Sequence, residues 1–239
     1  MLLIDHSSPT PAENLALDEA LLEACEAGEL SGEILRFWAS PEYFVVLGYT
    51  GKLQREVNIE ACRDDGIPIL RRCTGGGTVL QGPGCLNYSL ILRIDGGSMA
   101  GISQTNSRVT EKNALALQKI LGAKVDRRGD TDLAVAEVKV SGNAQKRKQK
   151  YLLFHGTFLL DFDLPLIAKY LQQPPTQPEY RAGRDHLDFV MNLRVSEELV
   201  KSALREAWDA SEILQDAPFE RMAQLVTAKY LRDEWNLKF

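Results

Sequence analysis

Arg71-Arg72-Cys73-Thr74-Gly75-Gly76-Gly77-Thr78-Val79-Leu80-Gln81-Gly82-Pro83-Gly84 joins two strand-like apolar runs, Ile67 to Arg71 and Leu86 to Ile94. Five of its fourteen residues are glycine, and two guanidinium groups stand at its entrance. Each glycine costs backbone entropy on folding, so three in a row need a reason, and close approach of the backbone to a ligand supplies one. A plain hairpin tip is the alternative. It would favour Asn-Gly or Asp-Gly and has no use for paired arginines. The two familiar nucleotide loops do not fit: no lysine follows Gly77 until Lys112, as a Walker loop requires, and Leu80 stands where a dinucleotide fingerprint needs glycine or alanine. A nucleotide held here is held in another fold.

Around this loop the composition is that of an ordinary globular chain, with 239 residues, 44% apolar and 26% charged. One domain over 1–239 is expected, with 196–239 as a helical C-terminal segment. The run Met1 to Ile4 is broken by Asp5 too soon for a signal sequence, and there is no apolar stretch of membrane-spanning length. A cytoplasmic protein without a membrane partner is the expectation. Cys25, Cys62, Cys73 and Cys85 form no Cys-x-x-Cys pair, so free thiols are expected rather than a zinc site or disulfides. A net charge of −5 disfavours nucleic acid as a partner.

Thr10-Pro11-Ala12-Glu13 has capping-box spacing, and Leu15, Leu17, Ala20, Leu21 and Leu22 continue it as an amphipathic helix that stops at Gly28. Strands are expected over 34–39, 43–47, 67–71, 86–94, 124–127, 133–140 and 151–160, and helices over 56–65, 103–121, 164–171, 196–208 and 218–231. The proline-rich stretch 172–178 is excluded from both. Paired strands without regular strand-helix alternation indicate an α+β domain on a mixed, largely antiparallel sheet with flanking helices.

Lys139 falls in an otherwise apolar strand, beside Val138 and Val140. It is either an outward-facing surface residue or a cation that meets something anionic. Ser141-Gly142-Asn143-Ala144 follows at once, repeating the small-residue chemistry of the first loop. Taken in order, Arg71-Arg72, Thr74 to Val79, Asn87-Tyr88-Ser89, Thr131-Asp132-Leu133, Lys139 to Ala144 and His155-Gly156-Thr157 resemble the lipoate-protein ligase family over residues 30–195. The resemblance implies the catalytic fold shared by biotin and lipoate protein ligases and by octanoyltransferases.

It also implies a reaction in which ATP and lipoate or octanoate give an acyl-adenylate, and a lysine of an acceptor protein domain then takes the acyl group. Arg72 matches the arginine that meets the nucleotide. Gly75, Gly76, Gly77, Thr78, Val79 and Leu80 match the loop along the acyl-adenylate, and Asn87, Ser141, Gly142, Ala144, His155 and Gly156 complete the implied binding set. Lys139 matches the catalytic lysine that contacts the lipoate carboxylate and the α-phosphate. Asp132 matches a position that helps hold Mg2+, or else is a solvated or capping aspartate.

Three departures stand out. Gln81 replaces a histidine found in many ligases, and Cys73 a third arginine found in some. The chain is also shorter than ligases with an extra C-terminal domain, which points to a reduced segment after Ser196 or a separate accessory protein. The competing reading is an ATP-independent octanoyl or lipoyl transferase carrying the acyl group on a cysteine. Those relatives place that cysteine near or beyond the lysine motif, where this chain has none, although Arg71 and Arg72 could lower the Cys73 pKa. A further reading is a fold that only binds lipoate or a lipoylated partner. The basic run Gln145-Lys146-Arg147-Lys148-Gln149-Lys150 reads as a turn, either solvated or steering an acidic acceptor.

Overall fold

The Thr10 hydroxyl accepts from Glu13 N, and Glu13 Oε2 accepts from Thr10 N at 2.9 Å, closing the capping box of helix α1 (Pro11–Ala27). Gly28 ends the helix at φ +80°, a left-handed conformation that glycine adopts without strain. The computed structural model describes residues 1–97 and 99–239. Its strands are β1 (Leu2–Asp5), β2 (Ile34–Trp38), β3 (Phe44–Leu47), β4 (Ile69–Arg71), β5 (Val79–Gln81), β6 (Cys85–Arg93), β7 (Val125–Arg128), β8 (Asp132–Val135), β9 (Val138–Arg147), β10 (Tyr151–Leu159) and β11 (Glu212–Ile213). Eight of them form one sheet in the order β11-β1-β2-β6-β10-β9-β8-β7. Only the β11–β1 and β1–β2 pairings are parallel, so the sheet is mixed and largely antiparallel, as expected. Strands β4-β3-β5 form a separate small sheet that carries the two ends of the glycine loop.

Strand β6 sets the layers, because alternate side chains of a strand point to opposite faces. Leu86, Tyr88, Leu90 and Leu92 pack with Val109, Leu117, Val200 and Leu204 of helices α2 (Ile102–Leu121) and α3 (Glu197–Trp208). Ile91 packs on the other face with Leu17, Leu21 and Leu22 of α1. That second face also carries Asn87 and Ser89, both buried. No described helix is long and apolar enough to cross a membrane.

Several expectations change. Helix α1 is not amphipathic but buried nearly all round, between the large sheet and a C-terminal segment that brings Met222, Leu225, Val226 and Tyr230 against Ala12, Leu15 and Ala16. The helix expected over 56–65 is two short ones, Leu53–Glu56 and Ile59–Asp64. Asn58 caps the second, and Val57 makes a bridge to Leu171. The single strand expected over 133–140 is the hairpin β8–β9, whose turn residues Ala136 and Glu137 have φ of 46° and 68°. A two-residue turn needs such values, and neither residue type announces them. Strand β9 continues through Arg147, so only the end of the basic run turns. Strands β1, β5 and β11 have two to four residues, too few to show a period, and β11 places an edge strand within the segment expected to be helical.

Candidate active site

Arg72 shapes the glycine loop from inside. Its guanidinium donates to the carbonyls of Gly75 at 2.5 Å and Gly77 at 2.9 Å, and Nε donates to Thr74 Oγ1 at 2.9 Å. The group is buried without a carboxylate in contact, and burial pushes its pKa down to about 10. Gly76, at φ +86°, turns the loop back onto the protein. A Cβ at Gly76 would come within 2.9 Å of Arg72 Nη2, and one at Gly48 within 2.0 Å of the Gly76 carbonyl. Thr78 Oγ1 donates to Glu56 Oε2 at 2.7 Å, anchoring the far end of the loop.

Opposite lies strand β9. Lys139 Nζ pairs with Asp132 Oδ1 at 2.8 Å across the β8–β9 hairpin, and lies 5.9 Å from the Phe189 ring centre. It is half-buried, and the anion it meets in the protein is Asp132. Gly142 keeps the space beside it open, since a Cβ there would fall 2.8 Å from Lys139 Nζ. Ala144 is the β9 side chain nearest Gly76, so Arg72, Gly75, Gly76, Gly77, Lys139, Gly142 and Ala144 border one seam between the glycine loop and the sheet.

Other expected residues fall elsewhere. Leu80 is buried in the core behind the small sheet, with Val45 and Leu47, and Val79 packs at the edge of the α1 cluster. Ser141 and Gly156 serve the opposite face of the large sheet. A Cβ at Gly156 would sit 1.7 Å from Asn143 Oδ1, the acceptor for Tyr88 OH. Asn143 in turn holds the carbonyl of Thr131 at 2.6 Å, which fixes the turn bearing Asp132. Both Asp132 oxygens are engaged, Oδ1 by Lys139 and Oδ2 by the Tyr180 hydroxyl at 2.7 Å. Among the described residues no group of three or more His, Cys, Asp or Glu is arranged to hold a metal ion. Asp132 as placed is paired with Lys139 and Tyr180, and no all-protein cage for a magnesium ion surrounds it among the described residues.

His155 links the loop to the core. Its Nδ1 lies 3.2 Å from Asp18 Oδ2, and its Nε2 lies 2.7 Å from Thr74 Oγ1. With Nδ1–H donated to Asp18, Nε2 accepts from the Thr74 hydroxyl, which itself accepts from Arg72 Nε. Asp18 also takes Arg36 Nη1 at 2.6 Å, and both partners are buried. Burial alone would raise the Asp18 carboxyl, but Arg36 and His155 outweigh it and hold the pKa below the ordinary carboxylate value. On the same sheet face Gln81 Nε2 donates to Thr157 Oγ1, which donates to Asn87 Oδ1 at 2.6 Å. Asn87 Nδ2 and Gln81 Oε1 are buried there without a protein partner.

Asp18, Arg36 and Gly48 are the residues that sequence reasoning missed. Asp18 and Arg36 each carried a signal of the kind read at Lys139, a charge within an apolar helix or strand. The cysteines are free and buried, and burial raises the Cys73 and Cys85 pKa values to about 12 and those of Cys25 and Cys62 to about 11. The neighbouring arginines do not activate Cys73, because their guanidiniums are turned to backbone carbonyls. Most of the basic run is tied to the protein, and only its end, at Gln149 and Lys150, is an exposed turn. Lys146 pairs with Glu19 at 2.8 Å, Lys148 with Glu23 at 3.3 Å, and Arg147 donates to the Met99 carbonyl at 2.6 Å.

A glycine loop pinned by a buried arginine lies beside a sheet-borne lysine, an arrangement outside the Walker and dinucleotide classes. The chain belongs to the family of the lipoyl protein ligase A/B catalytic domain, whose model matches residues 10–208. It is 32% identical to a provisionally named lipoate-protein ligase A of Aeropyrum pernix, over 96% of this chain and 89% of that one. It is 28% identical to the octanoyltransferase LipM of Geobacillus kaustophilus, over 98% and 97%. Among solved structures, a lipoate-protein ligase A bound with ATP matches with TM-score 0.82 and 25% identity, over 99% of this chain and 98% of that one. The bi-partite lipoate protein ligase of Thermoplasma acidophilum, studied with its E2 lipoyl domain, matches with TM-score 0.83 and 24% identity, over 99% and 95%. The fold is thus that of lipoate ligases, and the relatives include both ligases and octanoyltransferases.

Proposed function

We propose that the protein is an ATP-dependent lipoate-protein ligase. The observation that carries this reading over the transferase is the state of the cysteines. All four are buried with raised pKa values, so the chain offers no thiolate to carry an acyl group, whereas activation as an acyl-adenylate needs none. In the first step an oxygen of the lipoate or octanoate carboxylate bonds to the α-phosphorus, and pyrophosphate leaves. In the second, the amine of an acceptor lysine bonds to the acyl carbon, AMP leaves with the electron pair of the broken bond, and the amine loses a proton. Lys139 stabilises the anionic charge of both steps, released by the ligand from its pairing with Asp132. Arg72 acts through the loop, whose backbone it holds in one shape.

Magnesium enters this scheme with ATP as part of the substrate. The lipoyl domain that accompanies the Thermoplasma ligase supports a lysine-bearing lipoyl domain as acceptor, and the bi-partite nature of that ligase supports a second polypeptide as partner. The test combines the protein, lipoate and a lipoyl domain with and without ATP, and follows pyrophosphate and the acylated lysine. Both products are expected only with ATP. Efficient acyl transfer from an acyl carrier protein without ATP would sink the reading. Lys139→Ala should lose roughly 10² in rate while its thermal unfolding stays cooperative.

A further inference from the structure

The two arginines that open the glycine loop are buried, and their donors are turned to the protein itself except Arg71 Nη2, which is enclosed without a partner. Arg71 Nη1 donates to the carbonyls of Gly48 at 2.7 Å and Gly51 at 2.8 Å, and Nε donates to that of Trp235 at 3.1 Å. Trp235 Nε1 donates back to the Arg71 carbonyl at 2.8 Å, which ties the C-terminal turn to the root of the loop. A triphosphate lying along the loop therefore needs cations from elsewhere.

We propose that Lys238 and Lys229 of the C-terminal turn, gathered on the indole of Trp235, hold the β- and γ-phosphates of the nucleotide, the part that leaves as pyrophosphate. This inference rests on the ligase reading above and adds to it a site made by the C-terminal segment, outside the motifs of the glycine loop and β9. Lys229 Nζ and Lys238 Nζ each lie 3.9 Å from the Trp235 ring centre, which keeps the two charges within twice that distance of each other. Lys238 Nζ also lies 3.9 Å from the ring centre of Tyr49, and the backbone N–H of Tyr49 donates to the Thr74 carbonyl at 2.8 Å. Lys238 thus lies beside the root of the glycine loop, with Lys229 next to it on Trp235.

Their charge balance points to an anion. Lys229 is neutralised by Glu19 Oε2 at 2.6 Å, whereas among the described residues Lys238 has aromatic partners and no carboxylate at ion-pair distance. Burial first, then the neighbouring charges of Arg71, Lys229 and Lys146, lowers the Lys238 pKa. A polyphosphate that reaches both ammonium groups makes a charge-assisted hydrogen bond with each. Space is present beside Lys229 and Trp235. A hollow of about 390 Å³ is lined by Ala228, Lys229, Arg232, Glu234 and Trp235, with Glu234 its one acidic side chain.

The experiment titrates the full chain calorimetrically with inorganic pyrophosphate, ATP and AMP in turn, for the wild type, Lys238→Met and Lys238→Arg. The methionine variant should bind pyrophosphate and ATP about tenfold more weakly with AMP affinity unchanged, and the arginine variant should restore both. In the wild type, saturating pyrophosphate should also protect Lys238 from an amine-reactive ester, read by peptide mass spectrometry, which tests the site without a substitution. Wild-type binding of ATP with equal affinity in Lys238→Met, or no protection of Lys238, overturns this inference and leaves the ligase reading standing. A wild type that binds neither ATP nor pyrophosphate overturns both.

Discussion

Asp18 and Glu19 are consecutive residues of one helix, both buried, and they serve two different networks. Asp18 faces the large sheet, where Arg36 of β2 and His155 of β10 meet it, and through His155 and Thr74 it reaches the glycine loop. Glu19 faces the C-terminal segment, taking Lys146 of β9, Lys229 at 2.6 Å and the hydroxyl of Tyr230 at 2.8 Å. The first network is sealed, with Arg36 wholly buried, while the second has ammonium groups that still reach solvent. One helix turn thus positions the loop with one carboxylate and clamps the C-terminal segment with the next. The energetic stake differs because a sealed charge that loses its partner cannot turn to water, whereas a partly exposed one can.

The largest effect expected from this difference is at Asp18. Asp18→Asn keeps the shape but strands the Arg36 guanidinium, and should cost about 3–5 kcal/mol of unfolding free energy, measured by urea denaturation. A loss below about 1 kcal/mol, the range of an exposed pair, would show the two networks to be equivalent. Glu19→Gln should cost about 2 kcal/mol and act locally. Amide exchange should quicken over 219–236 and stay unchanged in β2 and β10. Uniform quickening across the sheet would refute the division of labour.

The pH dependence follows from the same pair. Arg36 and His155 at Asp18, and Lys146 and Lys229 at Glu19, outweigh burial and hold both carboxyls below their ordinary values in the folded state. As pH falls below about 4, the unfolded chain takes up these protons before the folded one does. The stabilisation is therefore complete above that range and is lost as pH drops through the folded pKa values. Unfolding free energy should fall between about pH 5 and pH 3, more gently in Glu19→Gln than in wild type, and an equal slope would remove Glu19 from the account. The smallest effect is at Cys73, which lies near both carboxylates. Cys73→Ala should lose about 1 kcal/mol and keep acyl transfer near wild type. Abolished transfer in a folded variant, with a thioester trapped on Cys73 of the wild type, would restore the transferase reading.

The sequence by itself determined the α1 cap, the glycine loop with the strand that leads into it and the order of motifs that placed the chain in its family. Each of these is local. A capping box spans four residues, and a glycine run states its backbone freedom outright. The mixed, largely antiparallel sheet followed from paired strand signals. What only the tertiary structure decided is which way each charge points. Arg72, read as a nucleotide contact, donates within the protein to the loop carbonyls of Gly75 and Gly77. Lys139 read as a cation awaiting an anion and proves to hold Asp132, across a hairpin whose turn at Ala136 and Glu137 the sequence concealed. Lys146 read as part of a surface turn and proves to be a clamp on Glu19. The physical reason is common to all three: a charge states its need for a partner, but the partner is chosen by chain segments tens to hundreds of residues away that only the packed sheet brings within hydrogen-bond reach.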